Sequence, residues 1–220
     1  MIDCGNVVRV SPPVNPKPKP TRRERAQATR RRILDAAHAL FCERGFTGTR
    51  MADVAAAAGV AEQTVYFTFH PKAELLQNCF DRAVMGEDDP LPPPQQPFWA
   101  AMIAAPTGAE AIRHFVEGNT AIASRVAGLD EVVAATTHDP DAVRVWARSE
   151  QLRREGYAAV VAHLGQTHGL RAGLDATTAT DILLTMASGG VFMTLVHRYG
   201  WPQETYVDWL SRTLAEQLLG

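Results

Sequence analysis

The sequence is poor in cysteine, with only Cys4, Cys42 and Cys79 among its 220 residues. The three are far apart and odd in number, and no two form a CxxC pair. They therefore predict neither a disulfide framework nor a structural zinc site, and reduced thiols are expected. No uninterrupted apolar run approaches the roughly 18 residues that a transmembrane helix needs. These two absences favour a cytoplasmic protein without a membrane span.

Sequence signatures of catalysis are also lacking. The chain has no HExxH helix, no glycine-rich phosphate loop and no recognisable pairing of a nucleophile with a base. An enzyme is therefore the weaker hypothesis, and we predict neither a cofactor nor a metal site. The first twenty residues, MIDCGNVVRVSPPVNPKPKP, lack an apolar stretch of signal-peptide length and are rich in proline. They predict a disordered extension over residues 1–20 that is retained.

Charge of both signs is present but unevenly distributed. Residues 1–50 contain eleven lysines and arginines against four acids, whereas residues 83–220 contain nine basic and sixteen acidic residues. The formal net charge of −2 conceals a basic N-terminal part on an acidic remainder. Such a basic end favours an anionic partner, most commonly nucleic acid. A solvated basic tail without a partner is the alternative.

Strand signals are missing as well, because no convincing run of alternating β-branched residues occurs. Glycine and proline divide the chain into helical lengths, which predicts an all-α fold of about nine helices. The stretch GEDDPLPPPQQP, residues 86–97, predicts a linker. The predicted helices cover residues 21–43, 50–58, 62–69, 71–85, 108–125, 129–137, 140–164, 176–199 and 202–219.

The stretch MADVAAAAGVAEQTVYFTFHPKAELL, residues 51–76, has the pattern of a helix-turn-helix. Two short helices are joined at Gly59, a residue type that adopts the left-handed conformation easily. Thr49 is expected to cap the first helix. The small residues Ala55 to Ala58 let the two backbones approach, and Val65 and Phe69 are spaced to face the core.

The opposite face of the second short helix is suited to the major groove of DNA. Gln63 can pair with adenine, Glu62 can accept from cytosine, and Phe67 can touch a thymine methyl. Tyr66, Lys72 and the backbone N–H groups near Thr49 suit phosphates. Solvated side chains on a small bundle are the alternative. The predicted DNA-binding residues are Arg30, Thr49, Arg50, Glu62, Gln63, Thr64, Tyr66, Phe67, Thr68 and Lys72, with Arg22, Arg23 and Arg25 adding electrostatic or minor-groove contacts.

The segment from Ile33 to Leu76 resembles the DNA-binding part of the TetR family of transcriptional regulators. Ala61, where the family often has Ser or Thr, and Thr68, where it often has His or Tyr, depart from the pattern without breaking the motif. The resemblance implies a helix-turn-helix domain over residues 21–70 and a larger helical domain for effector binding and dimerisation over residues 71–220. The matching positions are Phe41, Gly45, Phe46, Thr49, Ala55, Ala58, Gly59, Val60, Thr64, Tyr66, Phe69, Lys72 and Leu75.

The resemblance extends over residues 178–219, which look like the ending of actinobacterial members. It implies a homodimer formed by the last two helices, and two heads about 34 Å apart would read two half-sites. A monomeric core built from the same apolar stripes is the alternative. The predicted interface residues are Met186, Gly189, Gly190, Met193, Tyr206, Trp209, Leu210 and Leu214.

By the same resemblance, a small-molecule effector of unknown identity sits between the middle helices. Plain core packing is the alternative for each candidate residue. The leading hypothesis is a repressor released by this effector from a palindromic operator in double-stranded DNA. Its rival is a non-enzymatic adaptor with a vestigial helix-turn-helix. The predicted pocket residues are Trp99, Met102, Phe115, Trp146, Tyr157, His163 and Phe192.

Overall fold

The computed structural model describes residues 21–86, 91–135 and 139–219. These ranges are predominantly helical and contain no β-strand, which confirms the predicted all-α class. The extension predicted over residues 1–20 lies outside them. The helices are α1 (Arg22–Gly48), α2 (Met51–Ala58), α3 (Glu62–Thr68), α4 (Lys72–Met85), α5 (Pro97–Ala104), α6 (Gly108–Ala134), α7 (Pro140–Thr167), α8 (Ala176–Met186), α9 (Gly189–Phe192) and α10 (Gln203–Leu218), with a 3-10 turn at Pro93–Gln95 and a π-helical continuation of α9 over Met193–Arg198.

The first helix begins with a capping box. The Thr21 hydroxyl accepts from the backbone N–H of Glu24, and the Glu24 carboxylate accepts from the backbone N–H of Thr21. Such reciprocal bonds satisfy donors that a helix N-terminus leaves open. Near the other end, Gly45 has a φ of 73° and interrupts the helical geometry. The chain therefore turns sharply at the glycine where the helix was predicted to end.

Buried apolar side chains form two clusters. We call α1–α4 (residues 21–86) the head and the described residues from 91 onward the body. The second cluster joins α5 and most of α6 to α7–α10 in the body. The first cluster contains the head core but also side chains from the end of α6 and the start of α7, namely Val126, Leu129, Val132, Ala142 and Val145. The head is therefore packed directly onto the body.

Two helix predictions in the middle of the chain are wrong. The helices predicted at 108–125 and 129–137 are one continuous helix, α6, and α5 was missed. Gly128, which stands between the two predicted helices, lies inside α6 against Cys42 of α1. A Cβ at Gly128 would lie 2.8 Å from the Cys42 Sγ. The glycine therefore permits close helix packing here and does not end the helix.

The single helix predicted over residues 176–199 is broken at Ala187 and Ser188. The Ser188 hydroxyl accepts from the backbone N–H of Val191 at 3.3 Å and so caps α9. The Ala187 carbonyl accepts from the Asn119 amide at 3.1 Å and from the Tyr157 hydroxyl at 3.2 Å. These donors pair with a buried carbonyl at the point where the helix breaks, so the body core stabilises the break.

One segment of the described residues, Ala176–Arg198, is long and apolar enough to cross a membrane by length and composition alone, with a mean hydropathy of 1.5. Leu183, Leu184 and Phe192 of this segment are buried in the second cluster. Core helices of soluble proteins pass the same test, so this segment is weak evidence for a membrane span.

Candidate nucleic-acid interface

Helices α2 and α3 form the predicted helix-turn-helix. Gly59 adopts the left-handed conformation, with φ of 65° and ψ of 43°. Its N–H donates to the Ala56 carbonyl at 3.2 Å, and the Val60 N–H donates to the Ala55 carbonyl at 3.0 Å. Val65 of α3 and Phe69 just after it are fully buried in the first cluster. This anchoring confirms the predicted inward face and leaves the opposite face of α3 toward solvent.

The outer face of α3 combines polar groups with a bare aromatic ring. Glu62 and Gln63 are exposed. Tyr66 is 43% exposed, and Phe67, at 95%, is almost entirely uncovered. Thr64 and Thr68 are half-buried, and the Thr68 hydroxyl donates to the Thr64 carbonyl at 2.7 Å. The exposed surface of α3 is therefore formed mainly by Glu62, Gln63, Tyr66 and Phe67.

The predicted arginines differ in the contacts that they make within the protein. Arg22, Arg23 and Arg25 are exposed along α1. Arg30 donates to the Asn78 side chain, and its guanidinium lies 4.4 Å from the centre of the Phe69 ring. Arg30 therefore ties α1 to the end of α3 and to α4, in addition to adding charge.

Arg50 precedes α2 and forms a two-point ion pair with Asp53. The Arg50 Nε and Nη2 atoms each lie 3.1 Å from a carboxylate oxygen of Asp53. The hydrogen bonds and charge of Asp53 raise the pKa of Arg50, and those of Arg50 lower the pKa of Asp53. A phosphate would have to compete with this carboxylate for the guanidinium, which remains exposed.

Thr49 lies inside the protein, contrary to two predictions. Arg50 occupies the N-cap position of α2, and Thr49 is only 1% exposed. The Thr49 hydroxyl donates to the carbonyls of Leu40 at 3.0 Å and Gly45 at 2.8 Å. Its side chain thus satisfies carbonyl groups at the α1 kink, and it neither caps α2 nor reaches the surface for a DNA contact.

Replacing Thr49 by valine is expected to lower the free energy of unfolding by about 1–3 kcal/mol, because a buried hydrogen-bonding group is lost while the side-chain shape is kept. Thr47 lies on the same turn and is exposed, so Thr47→Val serves as the matched control. Urea unfolding of both variants measures the difference. Equal effects for the two substitutions would show that the buried hydrogen bonds contribute nothing.

Lys72 also points into the protein instead of toward a phosphate. Its Nζ donates to the carbonyls of Phe46 at 2.7 Å and Thr49 at 3.1 Å. The same atom lies 4.2 Å from the centre of the Phe46 ring, within cation–π range. Burial lowers the pKa of the Lys72 ammonium. The structure therefore does not place this residue where the sequence predicted it.

The predicted effector-pocket residues are mostly packed against each other or against neighbouring core residues. Met102, Phe115, Tyr157 and Phe192 are buried in the second cluster. Phe115 and Tyr157 meet edge to face with ring centres 5.2 Å apart, and the Tyr157 hydroxyl donates to Asn119 at 2.6 Å. Trp99 packs on this cluster, His163 is half-buried, and Trp146 packs on the first cluster. Four of these seven side chains thus fill core positions, and none of the seven lines either of the two cavities described next.

A cavity of about 240 Å³ lies between the head and the body instead. Beside it, Arg125 of α6 donates to the Ala83 carbonyl at 2.7 Å, and Arg82 pairs with Asp35 at 2.6 Å. Sequence reasoning missed this cavity because its walls come from three helices that are distant in sequence. The lining residues are Leu34, His38, Cys79, Arg82, Ala83, Ser124 and Arg125.

The predicted interface residues separate into two groups. Tyr206, Leu210 and Leu214 are buried in the core of their own chain, and Gly189 is buried against the Asp130 carboxylate. These four belong to the interior because they pack between α6 and the last helices. Met186, Met193 and Trp209 are half-buried, and Gly190 is exposed.

A shallow surface groove of about 400 Å³ runs between α8 and α10. Of the predicted interface set, Met186 contributes to this groove. The other residues of the groove are not in the predicted interface set. The groove is lined by Thr178, Asp181, Ile182, Thr185, Met186, Thr213 and Gln217.

Sequence comparison finds relatives for the head. Residues 33–79 match the model of the bacterial regulatory proteins, tetR family. Over 59 residues the chain is 44% identical to the HTH-type transcriptional regulator TtgR of Pseudomonas putida and 36% identical to AcrR of Shigella flexneri. The matched segment covers 27% of this chain, but only 28% of TtgR and 27% of AcrR.

Structural comparison finds the same fold over most of the chain. NalD of Pseudomonas aeruginosa, the secondary repressor of the MexAB-OprM multidrug efflux pump, superposes with a TM-score of 0.71 at 19% identity, covering 89% of this chain and 98% of NalD. FadR of Bacillus subtilis, solved in complex with stearoyl-CoA, superposes with a TM-score of 0.64 at 16% identity, covering 84% of this chain and 96% of FadR. At these identities the likeness concerns the fold.

Proposed function

Because this chain belongs to the TetR family of bacterial regulatory proteins, we propose that it is a cytoplasmic, sequence-specific transcriptional regulator that binds double-stranded DNA. Residues 21–70 would form its DNA-binding domain, and residues 71–220 its effector-binding and dimerisation domain. A repressor is the form that we favour, since relatives such as BepR of Brucella suis and NalD are named repressors.

The outer face of α3 is the observation that carries this proposal. Val65 and Phe69 fix one side of α3 in the first cluster, so Gln63 and Phe67 must point away from the protein. An amide can form two hydrogen bonds with adenine, and an aromatic ring can contact a thymine methyl in the major groove. The exposed arginines at the start of α1 supply positive charge for the phosphate backbone.

Replacing Gln63 by alanine is expected to relax the preference at one base position of each half-site, at a cost of about 1–3 kcal/mol for the preferred base. The salt dependence of binding should not change, because Gln63 carries no charge. Tyr66→Phe is the matched comparison: loss of a phosphate contact should weaken all sequences alike. Selection on a randomised half-site measures both effects, and an unaltered preference in the Gln63 variant would remove this residue from base recognition.

Dimerisation is part of the proposal, because a single short helix reads few bases and a two-fold dimer reads two half-sites. The groove between α8 and α10 is the surface that we assign to the partner copy. Its lining combines the apolar side chains of Ile182 and Met186 with threonines and with Asp181. A mixture of apolar and polar side chains is typical of protein interfaces.

A small-molecule effector would act on the body. The support is that FadR of B. subtilis, which shares the fold, was solved with stearoyl-CoA. Since Phe115 and Tyr157 are in contact in the core of the body, an effector between them would have to separate the two rings. Release of the protein from its operator by candidate compounds is the measurement that identifies the effector.

Selection of the purified protein on a random double-stranded DNA library tests the proposed function directly. An enriched inverted repeat at near-physiological salt is the expected result, and it would supply the operator for all later measurements. Weak, salt-sensitive binding without enrichment would overturn sequence-specific regulation. In that case the adaptor hypothesis, in which the body binds another protein, would take its place.

A further inference from the structure

We propose that Arg30 of α1 is a positioning residue that fixes the tilt of α3 for base recognition, by holding the ring of Phe69 and the side chain of Asn78 of α4. This inference rests on the proposed function and deepens it. The sequence predicted Arg30 as a DNA ligand, whereas this role acts through the protein. Specific DNA binding then depends on the guanidinium of Arg30 and not on its charge alone.

Helix α3 is short and is fixed to the protein near its middle and at its end. It has seven residues, of which Val65 is buried, and Phe69 follows directly as its C-cap. Phe69 has no exposed surface, and its backbone N–H donates to the Val65 carbonyl at 2.8 Å. Both side chains belong to the first cluster. Because the helix is held at these two points, the groups that cover Phe69 help to set the direction of its outer face.

The guanidinium of Arg30 is one of the groups that cover Phe69. It lies over the ring, 4.4 Å from the ring centre, which is within cation–π range. A guanidinium is planar, so it can stack on an aromatic ring while its N–H groups form hydrogen bonds. Lysine carries the same charge without this planar group, so the two residue types are not equivalent at such a position.

Asn78 of α4 holds the same guanidinium by a hydrogen bond. The Arg30 Nη2 donates to the Asn78 Oδ1 at 2.5 Å, and the Asn78 Nδ2 donates to the Glu74 carbonyl at 2.7 Å. A carbonyl only accepts and a guanidinium only donates, so each partner matches one end of the amide. Arg30 is therefore held by α4 at the place where it covers the end of α3.

The orientation of α3 affects base contacts more than it affects attraction to phosphates. Gln63 and Phe67 point outward from the same short helix that ends at Phe69, and Phe67 is 95% exposed. A binding site needs its groups held to within about 0.5 Å of the productive geometry. The attraction between positive side chains and the phosphate backbone is independent of sequence. A change in the tilt of α3 should therefore weaken operator binding and spare non-specific binding.

Arg30→Lys separates positioning from charge, because it keeps the positive charge and removes the planar group. Operator affinity should fall about tenfold, whereas non-specific affinity and the slope of log K against log salt should not change. Arg23→Lys is the matched control, since Arg23 is exposed on the same helix, and it should leave operator affinity unchanged. If Arg30→Lys weakened operator and non-specific binding equally, or weakened neither, Arg30 would not be a positioning residue.

Asn78→Ala tests the link to α4, because it removes an uncharged side chain that bonds to Arg30. The ratio of operator to non-specific affinity should fall about threefold in the wild-type background. It should fall no further in an Arg30→Met background, where both interactions of Arg30 are already lost. Gln77→Ala is the matched control, since Gln77 donates to Asp81, and its effect should be the same in both backgrounds. Additive effects of Asn78→Ala and Arg30→Met would overturn the proposed role.

A general loss of stability is distinguished by Leu210→Ala, which removes core packing in the body. This variant, assayed at a temperature where it is still folded, should keep the wild-type ratio of operator to non-specific affinity. If its ratio fell as that of Arg30→Lys does, the effect of Arg30 would be merely structural, and its role in positioning α3 would be refuted.

Urea unfolding of the Arg30 and Asn78 variants needs no DNA, so it separates the contact from the proposed function. A coupling between the two residues in stability, together with failure of DNA selection, would refute the function and with it the role of Arg30 in base recognition. An enriched operator and an unchanged affinity ratio in Arg30→Lys would instead retain the function and refute the positioning role.

Discussion

Replacing Leu210 by alanine is expected to lower the free energy of unfolding by about 2–5 kcal/mol, because it removes a fully buried side chain from the centre of the second cluster. The sequence placed Leu210 at the dimer interface, whereas the structure places it in the core of its own chain. Substitution of a core residue lowers the free energy of unfolding by the same amount at every protein concentration. Urea unfolding at two concentrations that differ a hundredfold measures the loss and its concentration dependence.

Ile182→Ala is the matched comparison, because Ile182 lines the surface groove and is only partly buried. Ile182→Ala should lower the free energy of unfolding of the monomer by less than Leu210→Ala does. At concentrations where the dimer forms, the loss caused by Ile182→Ala should be larger than in the monomer. If the Leu210→Ala effect changed with concentration as strongly as the Ile182→Ala effect, Leu210 would belong to an interface after all.

Replacing Met186 by glutamate is expected to weaken dimerisation by at least about a hundredfold, since it introduces a charge into the groove that we assign to a second copy. A buried charge without a partner costs several kcal/mol, and about 1.4 kcal/mol corresponds to a factor of ten. Operator affinity should fall with it, because a monomer contacts a single half-site. Sedimentation equilibrium and operator binding on the same sample measure both effects.

The control for this substitution is Ile103→Glu. Ile103 is an exposed apolar residue of α5 that does not line the groove. It should leave both the dimer and the operator affinity unchanged. An intact dimer in the Met186 variant would show that copies of this chain associate through a different surface.

The helix-turn-helix could be predicted from sequence because its signals are local. Gly59 adopts the conformation that its place in the sequence implied, and Val65 and Phe69 are buried as their spacing indicated. The errors arise where a residue type has two structural uses. Gly128 permits a close approach of α1 to α6. The sequence alone does not distinguish a glycine with this role from a glycine that ends a helix.

Thr49 and Lys72 illustrate a second limit of sequence reasoning. A threonine before a helix and a lysine after a recognition helix both have polar groups that suit the surface. Whether these groups turn inward depends on carbonyls that the Gly45 kink leaves available, and the kink geometry is a tertiary feature. The sequence predicted contacts with a helix N-terminus and with phosphates, whereas both side chains donate to backbone carbonyls.

The all-α class of the body could be predicted from sequence, but what covers each apolar helix face could not. Apolar periodicity identifies which side of a helix is buried, and Tyr206, Leu210 and Leu214 are indeed buried. It does not say whether the covering surface belongs to the same chain or to a partner. Nor does it say whether an apolar aromatic side chain lines a cavity or fills the core, as Phe115, Tyr157 and Phe192 do.

The head core includes Leu129 from α6 and Ala142 and Val145 from α7, and this shared packing bears on how the head could be exchanged between chains of this fold. A chimera joined just after α4 would pair this head with foreign side chains at these positions and at Val126 and Val132. Its operator preference would be inherited intact only if the graft also carried the end of α6 and the first turns of α7. The functional unit of exchange is therefore larger than the contiguous segment that sequence similarity identifies.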